Sequence, residues 1–274
     1  MERRKRIMQR VKEHYDEVCS LGFEVVAIFL QGSQNYNCDE YSEEYMSDID
    51  TKCIILPTLE DIVCGCSPYS HTHICVNDEH IDIKDIRVMF EMFKKQNSSY
   101  IELLFTPYYY VNPKYEMLFR ELLRLSEAIA RMHPNQALRA MSGTSMEKLK
   151  ALEHPYPGTM DKINKYGYDP KQLHHILRIN DLITRFVAKE EPYKNILIPK
   201  QVDYLIKVKK GLYSLEEARR IAFETDQDTK RIKTEHITED EFIDLETKQA
   251  LDDLKCEFIK QFLTETLEIA RNRG

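Results

Sequence analysis

"IFLQGSQNYNCDEYSEEYMSDIDTKCIILP" (28–57) decides the fold of this 274-residue chain. Two apolar stretches flank a loop that is crowded with polar and acidic residues. The first stretch ends in Gly32-Ser33, and the second begins with Asp48-Ile49-Asp50. Short apolar runs rich in β-branched residues predict buried strands. We therefore expect a Gly-Ser pair at the end of one strand and two carboxylates at the start of the next.

The residues around this pair of strands continue an α/β pattern up to about residue 112. Helical spacing of apolar residues predicts helices, and short apolar or alternating runs predict strands. Ser98 is the predicted N-cap of the last helix in this half. The predicted elements are a helix over 4–20, strands over 24–31, 48–56, 71–76 and 80–86, helices over 87–96 and 98–105, and one short strand within 106–113.

Beyond residue 113 the apolar spacing is helical almost throughout. The predicted helices cover 114–132, 135–153, 170–189, 199–210, 214–224 and 238–272. The sequence thus predicts an α+β protein, with an α/β N-terminal domain over 1–112 and an all-helical C-terminal domain over 113–274. Both lengths suit ordinary domains.

Composition narrows the class of protein. Charged residues make up 31% and hydrophobic residues 42%, and no apolar run approaches the roughly 20 residues of a membrane span. We expect no membrane association, a cytoplasmic location and seven reduced cysteines. The net charge is −7, which does not favour nucleic-acid binding by the whole chain. Residues 162–220, however, hold 13 Lys and Arg against 7 Asp and Glu, which leaves room for a phosphate-rich ligand.

The three strand carboxylates predict a metal site. Asp48 and Asp50 are two residues apart on a predicted strand, so they share one face and repel each other unless a cation lies between them. Asp82 lies among apolar residues in a later strand and needs a partner. Mg²⁺ takes oxygen ligands and is commonly shared with substrate phosphates. A solvated Asp-x-Asp, and an Asp82 that caps a turn or pairs with Lys84 or Arg87, remain open at this point.

Gly32 and Ser33 predict a phosphate-binding turn beside these carboxylates. Glycine lets a phosphate approach the backbone closely, and a serine that begins a helix offers its hydroxyl and free backbone N–H groups to an anion. A lone Gly-Ser pair is common in turns. Its combination with Asp-x-Asp and a later Asp is much less common and suits a nucleoside triphosphate with its metal ions.

This combination resembles the nucleotidyltransferase fold of the DNA polymerase beta superfamily, in which Gly-Ser is followed by Asp-x-Asp and by a third Asp. The resemblance is closest to the bacterial and phage predicted nucleotidyltransferases with a helical C-terminal region. It rests on "LQGSQNYN…SDID", "IELLF" (101–105) and "NKYGYDPKQLHHILRIND" (164–181). It covers roughly residues 24–220. It implies a mixed sheet with flanking helices in the N-terminal domain.

Within that group, one helix carries a Lys-His pair followed by a His and an Arg. The matching residues here are Lys171, His175 and Arg178, while Gln172 stands at the first His position. Their i, i+4, i+7 spacing puts the three on one helical face. The resemblance implies that this face binds the triphosphate together with Gly32 and Ser33.

The resemblance also implies the activity. Asp48, Asp50 and Asp82 would bind Mg²⁺ or Mn²⁺, and Asp82 would help to deprotonate a hydroxyl that attacks the α-phosphate of a nucleoside triphosphate, with ATP as the default donor. An RNA end such as that of tRNA is one possible acceptor. The alternatives are a non-catalytic nucleotide-binding or partner-binding protein and a protein-nucleotidylating component of a toxin–antitoxin pair.

A second metal site is an open alternative in "CGCSPYSHTHIC" (64–75), which contains Cys64, Cys66, His71, His73 and Cys75. The spacings do not match the usual zinc patterns. The alternation of His71, His73 and Cys75 is typical of a strand with one polar face. We therefore favour a strand over a zinc site.

Overall fold

The computed structural model describes residues 2–42 and 46–273 and shows an α+β protein. Its regular elements, in chain order, are α1 (Glu2–Ser20), β1 (Val25–Gln31), β2 (Asp50–Ile55), α2 (Leu59–Val63), β3 (Ser70–Ile74), β4 (His80–Asp85), α3 (Ile86–Lys94), α4 (Ser98–Ile101), β5 (Tyr109–Val111), α5 (Glu116–Arg124), α6 (Ser126–Arg131), α7 (Pro134–Ala151), α8 (Met160–Tyr166), α9 (Pro170–Ala188), α10 (Tyr193–Ile196), α11 (Val202–Lys209), α12 (Leu215–His236) and α13 (Leu245–Arg273). Short 3-10 helices cover Ser33–Tyr36, Glu102–Phe105, Pro113–Tyr115 and Pro157–Thr159.

The five strands form one mixed sheet in the order β3-β4-β2-β1-β5. β2 and β4 are parallel, whereas β1 runs antiparallel to both β2 and β5, and β3 runs antiparallel to β4. Helix α1 packs on one face, where Val11 and Val18 join a core with Ile28 and Ile81. On the other face Phe29 stacks near Phe119, with ring centroids 5.6 Å apart.

The chain forms two compact units, and their limits differ from the predicted boundary near residue 112. The sheet unit contains Met1–Asn35, Glu40–Met132 and Asp244–Gly274, and the helical unit contains Tyr36–Asp39 and His133–Ile243. Helix α13 belongs to the sheet unit because its buried Phe258 packs against Phe90 and Tyr115, at ring distances of 6.4 and 6.0 Å. This apolar contact is between residues far apart in sequence, so local patterns do not reveal it.

Helices α7, α9, α11 and α12 build the helical unit. Leu173 and Ile176 of α9 are fully buried with Ala218 and Ala222 of α12. The small alanines allow α12 to lie close to α9. Among the described helices, none combines the length and the apolarity that a membrane crossing requires.

Most predicted elements are present, and the differences concern their ends. The helix predicted over 98–105 is one α-turn followed by a 3-10 helix, and its N-cap is Asn97 rather than Ser98. The Asn97 side chain accepts a hydrogen bond from the backbone N–H of Ser99 at 3.1 Å. The helix predicted over 114–132 is split into α5 and α6. Helix α12 extends twelve residues beyond the predicted end at 224, to His236, and its second half also contacts α9, where Asn180 donates hydrogen bonds to Asp228 and Thr229.

Candidate active site

The register of the sheet places Asp50 and Asp82 on one face. Lys52 of β2 lies directly opposite Asp82 of the parallel strand β4. Asp50 lies two residues before Lys52, so its side chain is on the same face. Both aspartates line an open cavity of about 210 Å³, together with Gln31 and Thr72. The sheet therefore brings two of the three predicted carboxylates to one cavity.

Asp50 is held in place but remains partly exposed. Its Oδ1 accepts a hydrogen bond from the backbone N–H of His80 at 3.0 Å. The Nδ1 atom of the same histidine lies 3.5 Å from that oxygen, and the Asp50 side chain is 38% exposed. A carboxylate has about four acceptor positions. Asp50 can therefore accept a further ligand from the cavity.

Asp48 precedes β2 and is exposed. Its backbone carbonyl accepts a hydrogen bond from the Gln34 side-chain amide at 2.6 Å. Gln34 is buried, and its own carbonyl accepts a hydrogen bond from Arg3 at 3.2 Å. Since Gln34 follows Gly32-Ser33 directly, this contact ties the predicted phosphate turn to the start of the Asp-x-Asp motif.

The turn itself has the backbone that a glycine permits. Gly32 has a φ of +105°, in the region that other residues rarely adopt. Ser33 begins the 3-10 helix Ser33–Tyr36, whose first turn is closed by a 3.1 Å hydrogen bond from Asn35 N to Gly32 O. The helix expected after the serine is therefore a single short turn, because the chain leaves it at Asn37, which also has a positive φ.

Asp82 is already paired with a lysine. It forms an ion pair with the buried Lys52 and accepts a hydrogen bond from Thr72 Oγ1 at 2.5 Å, while Lys84 Nζ lies 3.6 Å away. Burial alone would raise the pKa of Asp82, but the charge of Lys52 and the hydrogen bonds from Lys52 and Thr72 hold it below its usual value. The contact between Asp82 and Lys84, one of the alternatives from the sequence, is therefore present, and Lys52 is the closer partner.

Lys52 is itself unusual because it is almost completely buried on the cavity face. Burial lowers its pKa, although the negative charge of Asp82 opposes the shift. Its ammonium also lies 4.5 Å from the centroid of the Tyr100 ring. Sequence reasoning did not select Lys52. The available signal was its position two residues after Asp50 on the same strand.

The three carboxylates do not form a preassembled cluster. Within residues 2–42 and 46–273, one group of three metal-binding side chains has its ligand atoms within 4.8 Å of one another. Its members are Glu17, His73 and Cys75. Asp48, Asp50 and Asp82 are not such a group. Their joint metal binding stays a prediction.

A buried network on the opposite face supports the Asp-x-Asp segment from behind. Glu79 accepts hydrogen bonds from Arg10 at 2.6 and 2.8 Å and lies 3.2 Å from His14 Nε2. Its second oxygen accepts the backbone N–H of Ile49, the residue between the two aspartates, at 3.1 Å. His14 Nδ1 in turn lies 3.0 Å from Thr51 Oγ1. The network anchors both sides of Asp50.

These contacts also set the ionisation of Glu79. Burial would raise its pKa, but hydrogen bonds from His14, Asn77 and Arg10 outweigh burial and lower it to about 2. Sequence reasoning did not select Glu79, which lies between the predicted strands over 71–76 and 80–86. Nothing local in the sequence indicates that helix α1 supplies its partners.

The predicted cationic face lies on α9 of the helical unit. Arg178 stacks its guanidinium 4.1 Å from the centroid of the Tyr36 ring, and Lys171 is exposed. Burial lowers the pKa of His175 well below its ordinary value. At neutral pH the face therefore presents two cations and a neutral imidazole instead of three cations. Its neighbour His174 is fully buried and lies 3.1 Å from the Leu205 carbonyl, as expected of a structural histidine.

Neither the comparison with protein-family models nor the comparison with curated proteins gives a match for this chain.

Proposed function

We propose that this protein is a metal-dependent nucleotidyltransferase, with the nucleotidyltransferase fold of the DNA polymerase beta superfamily in its sheet unit. It transfers a nucleoside monophosphate from a nucleoside triphosphate, ATP by default, to a hydroxyl acceptor. The observation that carries the proposal is the position of Asp50 and Asp82 on adjacent parallel strands around one open cavity. The link between Gln34 and Asp48 adds the Gly32-Ser33 turn to the same region.

The donor groups fit a hard divalent cation. Asp48 and Asp50 offer carboxylate oxygens with solvent access, which are the ligands that Mg²⁺ and Mn²⁺ prefer. Asp82 adds a third carboxylate whose charge is already balanced by Lys52. We therefore assign Asp48 and Asp50 as the principal ligands and Asp82 as the supporting one. A bound Mg²⁺ would polarise the phosphate and stabilise the charge that develops on it.

The lowered pKa of Asp82 changes its expected role. A carboxylate with a low pKa is a weak base, and efficient general bases have pKa values near the working pH. We assign Asp82 to orienting the acceptor hydroxyl by accepting its hydrogen bond. Lys52 keeps Asp82 ionised and fixed on the cavity face.

The test uses the full chain with ATP labelled at either the α or the γ phosphate, in Mg²⁺ or Mn²⁺. RNA and protein fractions are offered as separate acceptors. The proposal predicts transfer of the α label and no transfer of the γ label. Transfer of the γ label would indicate a kinase. Label in RNA and label in protein distinguish an RNA-modifying enzyme from the protein-nucleotidylating alternative.

A non-catalytic nucleotide-binding protein is the second candidate. The ion pair between Lys52 and Asp82 favours it, because a lysine already occupies the position beside that carboxylate. In this case ATP binds and no label is transferred with any of the four nucleoside triphosphates. Calorimetric titration with ATP, run beside the labelling assay, separates this result from a failure to bind.

The α9 face is the proposed contact for the β and γ phosphates. Arg178→Ala is expected to weaken ATP binding by about 1.5–3 kcal/mol, as for a charge-assisted hydrogen bond, or roughly tenfold or more in dissociation constant. Tyr36→Leu is the matched control, because it removes the ring beneath the guanidinium and keeps the charge. Unchanged ATP affinity of Arg178→Ala by calorimetry, with a raised KM for the acceptor, would assign the face to the acceptor instead.

A further inference from the structure

A second cluster of metal-binding side chains lies at the edge of the sheet, on the face covered by α1. His73 of the edge strand β3 places its Nε2 atom 2.7 Å from Oε1 of Glu17 on α1. Cys75 directly follows β3 and is buried. One ligand atom from each of the three lies within 4.8 Å of the other two. Nothing in the proposed nucleotidyltransferase reaction uses these residues.

The three donors match the preferences of zinc. Thiolate, imidazole and carboxylate are all zinc ligands, and a thiolate with an imidazole selects against Mg²⁺ and Ca²⁺. With zinc bond lengths of about 2.0–2.3 Å, the ligand atoms of a tetrahedral site lie about 3.3–3.6 Å apart. The oxygen of Glu17 and the nitrogen of His73 are at 2.7 Å. They need to separate by less than about 1 Å to admit the ion.

The cluster is accessible from one side. The His73 and Glu17 side chains are 29% and 36% exposed and form its outer rim, with the Cys75 thiol beneath them. On the inner side, His14 Nε2 lies 3.7 Å from Cys75 Sγ. His14 is already held by Thr51 and Glu79, so we count it as a neighbour of the site. Water would complete four ligands.

We propose that Glu17, His73 and Cys75 bind one zinc ion that fastens the edge strand β3 to helix α1. Binding replaces the hydrogen bond between Glu17 and His73 with metal bonds, and His73 binds through Nε2 as a neutral imidazole whose ring proton is on Nδ1. It releases the Cys75 thiol proton to solvent, and no oxidation occurs. Because β3 is the edge strand of the sheet within residues 2–42 and 46–273, where it pairs with β4, a clamp to α1 adds a constraint that the sheet does not supply.

The probe is Co²⁺, which takes zinc sites and reports a bound thiolate by a near-ultraviolet charge-transfer band. The full chain is stripped of metal with a chelator, desalted under reducing conditions and titrated with Co²⁺. We expect the band to saturate at one equivalent and to disappear when zinc is added. Zinc should also raise the melting temperature of the stripped protein.

Matched variants locate the site. Cys75→Ser should lose the charge-transfer band, whereas Cys64→Ser, at an exposed cysteine outside the cluster, should keep it. Glu17→Gln keeps size and exposure while removing the charge, and it should weaken Co²⁺ binding at least tenfold. Asp50→Asn should leave the titration unchanged, which separates this site from the proposed nucleotidyltransferase site. A band that persists in Cys75→Ser, or the absence of a band at one equivalent in the unmodified chain, would overturn the proposal.

Discussion

The carboxylates on the two faces of the sheet differ in burial and in the groups that they contact. On the face under α1, Glu79 is almost completely buried, and its oxygens contact Arg10, His14 and the backbone of Ile49. On the other face, Asp50 is 38% exposed and lines an open cavity. The two residues lie near each other in the structure. Glu79 accepts the backbone N–H of Ile49, which precedes Asp50, and Asp50 accepts the backbone N–H of His80, which follows Glu79.

This difference separates a structural anion from a candidate functional one. A buried carboxylate with several donors contributes to folding, and removing it leaves its partners unsatisfied. A carboxylate with solvent access and unused acceptor positions contributes little to folding and can bind a ligand. Asp82 lies between these extremes, since it lines the cavity and also pairs with the buried Lys52.

The largest expected effect is on stability when the buried anion is removed. Glu79→Ala should lower the free energy of unfolding by about 3–5 kcal/mol, as for a buried ion pair that loses one partner. It leaves the buried His14 and the half-buried Arg10 without the acceptor that they share. Urea denaturation followed by circular dichroism measures the change. Glu13→Ala is the control, because it removes an exposed partner of the same Arg10. A loss below 1 kcal/mol would contradict the structural role of Glu79.

Neutralising the exposed anion should lower the activity and leave the stability unchanged or higher. Asp50→Asn is expected to reduce nucleotidyl transfer by on the order of a hundredfold to a thousandfold, comparable to losing one key electrostatic group in an active site. The midpoint of urea denaturation should stay the same or rise. Asp16→Asn, at an exposed helical position, is the matched control. Retained activity in Asp50→Asn would remove Asp50 from the catalytic site and weaken the contrast between the faces.

The pH dependence of stability should show the contribution of the buried carboxylate of Glu79. The pKa of Glu79 is lowered to about 2, so its charge favours the folded state above the pKa of the unfolded chain, near 4.5. That contribution, about 3 kcal/mol, should fade as the pH falls from about 4.5 towards 2. The difference in unfolding free energy between the parent chain and Glu79→Gln is therefore large at pH 7 and shrinks in acid. A difference that is constant with pH would exclude this linkage.

The smallest expected effect on stability comes from removing the lysine that pairs with Asp82. Lys52→Met should cost about 1–3 kcal/mol of stability, because Asp82 loses a charged partner but stays partly solvated. The pKa of Asp82 should rise, and carbon-13 NMR of its carboxyl group measures the rise directly. Lys84→Met is the control, because Lys84 is farther from Asp82 and also donates to Ser70. Equal pKa changes in the two variants would show that Lys52 has no special role.

Local sequence patterns predicted the α+β class, the four longer strands and the position of Gly32-Ser33 between β1 and the Asp-x-Asp motif. They succeed there because apolar periodicity reflects burial of one face, and because a turn with positive φ favours glycine. Two residues spaced by two in a strand share a face in any sheet. That rule was applied to Asp48 and Asp50, and it holds equally for Asp50 and Lys52, which sequence reasoning did not select.

Only the tertiary structure decided how far each carboxylate is exposed and which groups it contacts. The parallel register sets Lys52 opposite Asp82, and the packing of α1 brings Arg10 and His14 to Glu79. It likewise brings α13 back to the sheet unit and Glu17 to His73. All of these contacts join residues at least thirty positions apart. Their partners are chosen by strand order and helix packing, which depend on burial of apolar surface over the whole unit, so no local pattern contains them.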